Sequence, residues 1–256
     1  MRSLFAFTKK EMTEQIRSGR ALIMVILFVA FGIMNPAVAK MTPWLLETFA
    51  DAMADSGMII VATEVSALDS WMQFFKNIPM ALIAFVLLQS SSFTREYQTG
   101  TLVLSLTKGL ERFKVVASKA FVISLCWTVG YWICFWVTYL YNAYFWDNSV
   151  AHSLWLSAVC WWLFGMWVIS LMIFFSTASK ANTGVLVSCG GVVFVTYLLG
   201  LVPKIGKYLP TMLTDGASLV YGYSEPKDYA AAVVITVFTA VLLFAVSLPV
   251  FNKKQL

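Results

Sequence analysis

Long apolar blocks alternate with shorter polar segments along the chain, and six of the blocks reach about 20 residues. They lie near residues 21–41, 71–93, 113–141, 154–177, 184–202 and 229–251. A helix of about 20 apolar residues crosses a hydrocarbon core of roughly 30 Å, so each block can span a membrane. The pattern predicts an all-α, polytopic membrane protein with six transmembrane helices.

The polar segment before the first block has a helical pattern of its own. At about 100° per residue, Phe5, Met12 and Ile16 fall within roughly 40° of one another. Lys10 and Arg17 point the opposite way. This arrangement predicts an amphipathic helix that lies in the membrane interface. The alternative is a solvated basic lead-in to the first span.

Residues 1–20 and the first block also have the order of a cleavable signal peptide, with Ala37-Val38-Ala39 as the cleavage site. The lead-in is long, however, and it contains Glu11 and Glu14. Five more spans follow this block. We therefore expect it to be retained as a span, with residues 1–20 as an interfacial helix.

Charge differs between the segments that connect the blocks. With both termini inside, the inner segments hold 13 of the 18 basic and 4 of the 13 acidic residues, a net charge of +9. The outer segments hold 5 bases against 9 acids, a net charge of −4. Residues 42–70 contain no lysine or arginine. Because cytoplasmic loops carry an excess of Lys and Arg, both termini are predicted to be cytoplasmic.

Composition narrows the function further. The chain is 60% hydrophobic and 12% charged, with four cysteines and one histidine. Its basic residues gather in particular loops, which argues against nucleic acid as a partner. The cysteines lie in apolar blocks without a CxxC pair, which indicates packing and not metal or redox chemistry. Residues 203–228 are rich in Pro and Gly and predict an external broken segment with short helices.

The polar segment 94–112, between the second and third blocks, is predicted to be a cytoplasmic coupling loop. Arg95, Glu96 and Gln98 are placed to bond a soluble partner at the membrane surface. Gly100 permits a reversal of the chain, and Thr101 can cap a short helix over residues 102–106. The alternative is a plain solvated basic loop.

Aromatic residues concentrate in the third and fourth blocks. Trp132, Trp136, Trp161 and Trp162 are candidates for lining a substrate path, because stacked aromatic faces suit an amphipathic cargo. The alternative, to which we give more weight, is that these tryptophans lie at the membrane–water interface or pack helices together.

Motifs for chemistry within this chain are absent from the sequence. There is no GxxxxGK[ST] loop for nucleotide phosphates, no HExxH and no GxSxG. No block carries a central charge that could relay protons or bind a coupling ion, which disfavours a secondary transporter. We therefore expect no catalytic residues, no cofactor and no metal in this chain.

The order of residues after the second block resembles the signature of ABC-2 type transporter permeases. The matching residues are Glu96-Tyr97, Gly100-Thr101, Arg112 and Lys119. The six-span layout, the amphipathic start and the broken stretch before the last span match that family across nearly the whole chain. Many members have a proline ahead of the arginine, whereas residues 107–111 read TKGLE here.

This resemblance implies one ABC-2 type transmembrane domain over residues 1–256, in a bacterial plasma membrane. It implies a permease that works with two copies of a separate ABC ATPase, in which ATP and magnesium bind. A second copy of this permease, or a related one, completes the assembly among membrane lipids. Tyr97 and Arg112 join the loop residues above as sites of coupling to the ATPase.

The function expected from these observations is the membrane subunit of an ATP-driven exporter. The apolar and aromatic spans suggest a hydrophobic or amphipathic cargo, such as a peptide, a drug or a lipid. One alternative is an immunity or binding protein that sequesters a peptide at the membrane. A membrane enzyme that needs no partner is a weaker alternative, because acids and histidines do not cluster.

Overall fold

The computed structural model of the chain describes residues 2–48, 65–98, 100, 107, 109, 111–179 and 181–253. These residues form helices and the turns between them. The longer helices are α1 (Arg2–Arg17), α2 (Arg20–Thr48), α3 (Ala67–Gln98), α4 (Arg112–Phe145), α5 (Leu154–Ala178) and α6 (Asn182–Gly200). The rest are α7 (Pro203–Gly206), α8 (Gly216–Val220), α9 (Ala230–Lys253) and 3₁₀ helices at Asn148–Val150, Pro210–Thr214 and Pro226–Tyr229.

Within the described residues, six helices are long and apolar enough to cross a membrane, which confirms the predicted all-helical architecture with six spans. The stretches that could span a membrane are Arg20–Leu45, Ala67–Glu96, Arg112–Phe145, Leu154–Ala178, Asn182–Gly200 and Pro226–Lys253. The protein is therefore a multi-pass membrane protein. Which termini face the cytoplasm stays a prediction from the charges.

Several helix ends differ from the predicted ones. Helix α2 continues through Pro36 and Pro43, because neighbouring helices can bond the backbone groups that a proline frees. Helix α3 covers residues 94–98, the first five residues of the predicted coupling loop. It continues there because Thr94 and Glu96 are buried against other helices. Residues 49–64, the middle of the segment 42–70 that lacks lysine and arginine, lie outside the described residues.

Helix α5 lies at the centre of the bundle, and two thirds of the residues in its most apolar stretch are buried. It packs against α9, α4 and α6. It packs tightly at Gly165, where a β-carbon would overlap the indole ring of Trp127. Helices α2 and α4 fit in the same way, with the ring of Phe28 against Gly130. Close helix contacts at glycine are typical of helices that pack inside membranes.

A chain of side-chain hydrogen bonds links three spans deep in the bundle. Asn77 of α3 donates to Asn35 of α2 at 2.9 Å, and Asn35 donates to the Thr138 hydroxyl of α4 at 3.0 Å. Thr138 in turn donates to the carbonyl of Gly32. These polar groups are tolerated inside the bundle because they satisfy one another.

Residues 203–228 form short helices separated by turns. Side-chain hydrogen bonds hold this segment against the spans, including one from the Tyr197 hydroxyl of α6 to the Thr214 hydroxyl at 3.2 Å. Trp161 Nε1 donates to the carbonyl of Thr214 at 2.8 Å, and the Tyr229 hydroxyl donates to the carbonyl of Asp215 at 2.8 Å. The position of this segment on the external side stays a prediction.

Candidate functional site

A buried lysine joins three helices at one end of the bundle. Lys119 of α4 is only 2% exposed, and its Nζ lies 2.8 Å from Glu11 Oε2 of α1 and 3.1 Å from Glu96 Oε2 of α3. It also donates to the backbone carbonyl of Ser92 at 3.2 Å. A charge this well buried is stable only when it is paired. We call this end of the bundle the α1 end.

A second lysine, the partly exposed Lys10, completes the cluster. Lys10 Nζ lies 2.5 Å from Glu96 Oε1, 2.9 Å from Glu11 Oε1 and 3.1 Å from Glu14 Oε2. The three carboxylates come close enough together to hold a cation, and the two ammonium groups occupy that role. Lys10, Glu11, Glu14, Glu96 and Lys119 are called the ion network below.

The sequence of α1 explains why acidic Glu11 faces inward. Phe7, Glu11 and Gln15 are spaced four residues apart and are all buried, so they form one face of the helix. Gln15 exchanges two hydrogen bonds with Gln89 of α3, at 2.9 and 3.2 Å. The inward face of α1 is thus largely polar. The stripe of Phe5, Met12 and Ile16 is exposed on another side of the helix.

The network shifts the pKa values of its outer members. Partial burial alone lowers the pKa of Lys10, but its hydrogen bonds to Glu96 and Glu11 and their charges raise it overall. Burial raises the pKa of Glu14, yet the hydrogen bond and charge of Lys10, with more distant cations, lower it below 4.5.

These shifts predict how pH affects the attachment of α1. A carboxyl group with a lowered pKa stabilises the fold above its ordinary pKa of 4.5, and this contribution is lost as pH falls through the lower value. We therefore expect backbone amide exchange in α1 to accelerate relative to that in α5 when pH falls from 7 to about 3, through the lowered pKa of Glu14. A Glu14→Gln variant should show a smaller acceleration. An equal acceleration in both proteins would contradict this role of Glu14.

Arg112 ties α4 to the last span. Its Nη1 donates to the carbonyls of Phe251 at 2.9 Å and Asn252 at 3.1 Å, in the final turn of α9. The last four carbonyls of a helix have no partner within the helix, and an arginine there also complements the helix dipole. The ion network and Arg112 together connect α1, α3, α4 and α9.

Arg112→Ala is expected to loosen the end of α9. Losing a charge-assisted cap of this kind costs about 1 kcal/mol, so amide exchange in residues 250–253 should rise about fivefold. Arg112→Lys should restore part of the protection. Unchanged exchange in the alanine variant would show that the cap is unimportant.

The family-model comparison agrees with the resemblance seen in the sequence. The model described as ABC-2 family transporter protein matches residues 5–256, almost the entire chain. The protein belongs to the ABC-2 transporter family. A search of curated proteins gave no match. ABC-2 family permeases are the membrane components of transporters and work with ABC ATPase partners.

Of the other residues predicted to couple this ABC-2 chain to an ATPase, the structure describes the side chain of Arg95. Arg95 is exposed on the last turn of α3 and, with Lys9 and Arg17, lines a cleft of about 760 Å³ between α1 and α3. Tyr97 and Gln98 belong to the same turn, and their side chains lie outside the described part of the chain. Gly100 has a positive φ of 68°, which suits a chain reversal. Thr101 and the predicted helix 102–106 are not among the described residues.

The four tryptophans proposed for a substrate path occupy different environments in the ABC-2 bundle. Trp161 is buried and bonds Thr214, whereas Trp162 is half-buried and donates to the Thr128 hydroxyl at 3.1 Å. Trp132 is half-buried on α4 and Trp136 is 46% exposed. Their role in a substrate path stays a prediction.

The substitution Trp161→Phe tests whether this side chain stabilises the fold or lines a substrate path. Phenylalanine keeps most of the ring but leaves the Thr214 carbonyl without its donor, at a cost of about 1–2 kcal/mol. Amide exchange in residues 210–220 should therefore rise. Trp155→Phe is the control, because Trp155 is half-exposed and carries no indole hydrogen bond within the described structure. Altered cargo preference with unchanged exchange would instead support the path.

Proposed function

We propose that this chain is the permease subunit of an ATP-driven exporter that moves a hydrophobic or amphipathic cargo out of the cell. The observation that carries the proposal is the ion network. It joins Glu96 and Lys119, two residues of the ABC-2 resemblance, at the point where the chain leaves α3 for the coupling loop. A force on that loop would reach several spans at once.

The α1 end is cytoplasmic in this proposal, and both termini lie there, in a bacterial plasma membrane. The excess of basic residues at this end supports that orientation. Helix α1 lies in the interface, with Phe5, Met12 and Ile16 toward the acyl chains. Their exposure in the isolated chain supports this placement.

Two ATPase subunits, which bind ATP and magnesium, would dock on residues 95–112 of two permeases. ATPase closure would push on the last turn of α3. Glu96 would pass that movement to α1 and α4 through Lys10 and Lys119, and Arg112 would pass it from α4 to α9. The spans would then alternate between inward-open and outward-open arrangements, and the cargo would leave on the outer side.

A second copy of the chain, or a related permease, would cover surfaces that the single chain leaves exposed. Helix α6 is the strongest candidate for such a contact surface, because only about a tenth of the residues in its most apolar stretch are buried. A β-carbon added at Gly190 or Gly191 on this helix would meet no atom of another described element within 4 Å, so another helix could approach these positions closely. The apolar surfaces favour a peptide, drug or lipid as cargo.

The test measures ATPase binding and ATP turnover with co-expressed partner subunits in nanodiscs. Glu96→Gln keeps the shape of the side chain but removes its charge, and Gly100→Pro removes the positive φ. We expect Glu96→Gln to reduce permease-stimulated ATP turnover at least fivefold, and Gly100→Pro to weaken ATPase capture. Glu111→Ala, an exposed acid in the same loop, is the control. Wild-type binding and turnover in both variants would refute the proposal.

A further inference from the structure

The cleft between α1 and the last turn of α3 is lined by more positive than negative charge. It holds about 760 Å³, and we call it the α1–α3 cleft. Four bases and two acids line it, a net charge of +2. They are Lys9, Lys10, Arg17, Arg95, Glu14 and Glu96. A cleft lined by an excess of one charge concentrates ions of the opposite sign, so its electrostatics favour an anion.

The two acids in the lining are already engaged by lysines. Lys10 lies 3.1 Å from Glu14 and 2.5 Å from Glu96, and Lys119 contacts Glu96 from the buried side at 3.1 Å. The ion network as a whole holds two lysines and three glutamates, a net charge of −1. The positive excess of the cleft therefore comes from the three bases outside the network.

Two of these bases belong to one row along α1. Lys9, Thr13 and Arg17 are four residues apart and lie above one another on the helix. Lys9 and Arg17 are exposed, and within the described residues neither forms an ion pair with a carboxylate. At 1.5 Å per residue they are attached about 12 Å apart, with Arg95 on the facing wall. Such a gap suits an anion with two or more phosphate groups better than one with a single phosphate.

The cleft faces away from the apolar stripe of α1. At about 100° per residue, the α1 residues that line it are centred roughly 120° around the helix from Phe5, Met12 and Ile16. They are about as far from the buried face that carries Glu11. With the stripe toward the acyl chains, the cleft opens toward water. Its anion is therefore expected to come from solution.

We propose that the α1–α3 cleft binds a soluble anion with two or more phosphate groups, held mainly by Lys9 and Arg17. Both side chains form charge-assisted hydrogen bonds to phosphate oxygens, which are stronger than neutral ones. Arg95 faces the ligand from α3, so the bound anion bridges α1 and α3 beside the ion network. The site depends on the interfacial placement of α1 in the proposed function, but on neither an ATPase nor a cargo.

Calorimetric titration of the full chain with inorganic pyrophosphate tests the site, in phosphatidylcholine nanodiscs and magnesium-free buffer. The wild-type protein should bind pyrophosphate saturably and more tightly than inorganic phosphate. Lys9→Gln with Arg17→Gln should weaken pyrophosphate binding at least tenfold, whereas Lys9→Arg with Arg17→Lys should retain it. Lys204→Gln with Lys207→Gln removes the same charge from exposed positions outside the cleft and is the matched control.

Amide exchange gives a second measurement on the same samples. A ligand that bridges α1 and α3 stabilises the state in which they are packed together. Pyrophosphate should therefore slow exchange in α1 of the wild-type protein and leave the Lys9→Gln, Arg17→Gln protein unchanged. The exchange pattern without pyrophosphate also shows whether each variant is folded. No ATPase is present, so a failure here leaves the export proposal untouched.

Three results would overturn the proposal. The first is no saturable binding of pyrophosphate to the wild-type protein. The second is an equal loss of affinity in the two glutamine double variants, which would mean that overall charge alone attracts the anion. The third is a preference for phosphatidylglycerol that depends on Lys9 and Arg17, seen by native mass spectrometry without pyrophosphate binding. That result would assign these cations to a lipid headgroup.

Discussion

Lys119→Met is expected to lower the free energy of unfolding by about 3–5 kcal/mol. The substitution keeps the length of the side chain but leaves Glu11 and Glu96 buried with Lys10 as their one remaining counter-ion in the network. An unpaired buried charge costs far more than an exposed one. Denaturant titration of the purified protein in one detergent measures the change.

Lys114→Met is the matched control on the same helix. Lys114 pairs at 2.6 Å with Glu111, which is 67% exposed, and such surface pairs contribute about 0–1 kcal/mol. Adding Glu11→Gln to Lys119→Met should recover part of the stability, because it removes one of the two buried carboxylates that would then share Lys10. Equal effects of the Lys119 and Lys114 substitutions would show that the ion network does not hold α1 to the spans.

Gly165→Ala is expected to lower the free energy of unfolding by about 3 kcal/mol, at the upper end of the usual cost of overpacking. The new methyl group would overlap the indole of Trp127. That ring cannot move aside easily, because Phe28, Phe85 and Tyr131 surround it at centroid distances of 5.4–5.8 Å. Any displacement would also strain its 3.1 Å hydrogen bond to the Trp162 carbonyl.

Gly191→Ala is the control for this prediction and should have the opposite sign. No atom outside the adjoining backbone of its own helix lies within 4 Å of the position that its β-carbon would take, and alanine favours a helix over glycine by about 1 kcal/mol. The isolated chain should therefore become slightly more stable. A stabilised Gly165→Ala protein would contradict the close packing of α4 and α5. Both variants are compared by denaturant titration under the conditions used for Lys119→Met.

The spans could be predicted from the sequence because burial in lipid is a local requirement. Every span must be apolar over about 20 residues, whatever its neighbours are. The end of α3 was harder to predict for the opposite reason. Thr94 and Glu96 are polar, so the apolar block ends before the helix does. The helix continues because its last turn is buried against α1 and Lys119, which is a tertiary effect.

The candidate site was predictable in part. Glu96, Arg112 and Lys119 were identified through the family resemblance, but their partners were not. By its sequence context, Glu11 is only one acid in a basic segment. Its inward position follows from its four-residue spacing with Phe7 and Gln15, a signal that the exposed apolar stripe of α1 obscured.

No feature of the sequence indicates the backbone partner of Arg112. It is a pair of backbone carbonyls at residues 251 and 252, about 140 positions away along the chain. Every residue offers a backbone carbonyl, so no residue type marks the place where an arginine will cap a helix. Contacts of this kind become visible only when the helices are packed together.

Site-specific photocrosslinking in native membranes tests most directly whether a separate ATPase drives this protein from the α1 end. A photoreactive amino acid replaces Arg95 at that end or exposed His152 near the N-terminus of α5, and mass spectrometry identifies the crosslinked polypeptide. We predict that position 95 captures a subunit carrying a nucleotide-binding GxxxxGK[ST] loop and that position 152 does not. Capture of that subunit at position 152, or its absence at position 95, would contradict the mechanism.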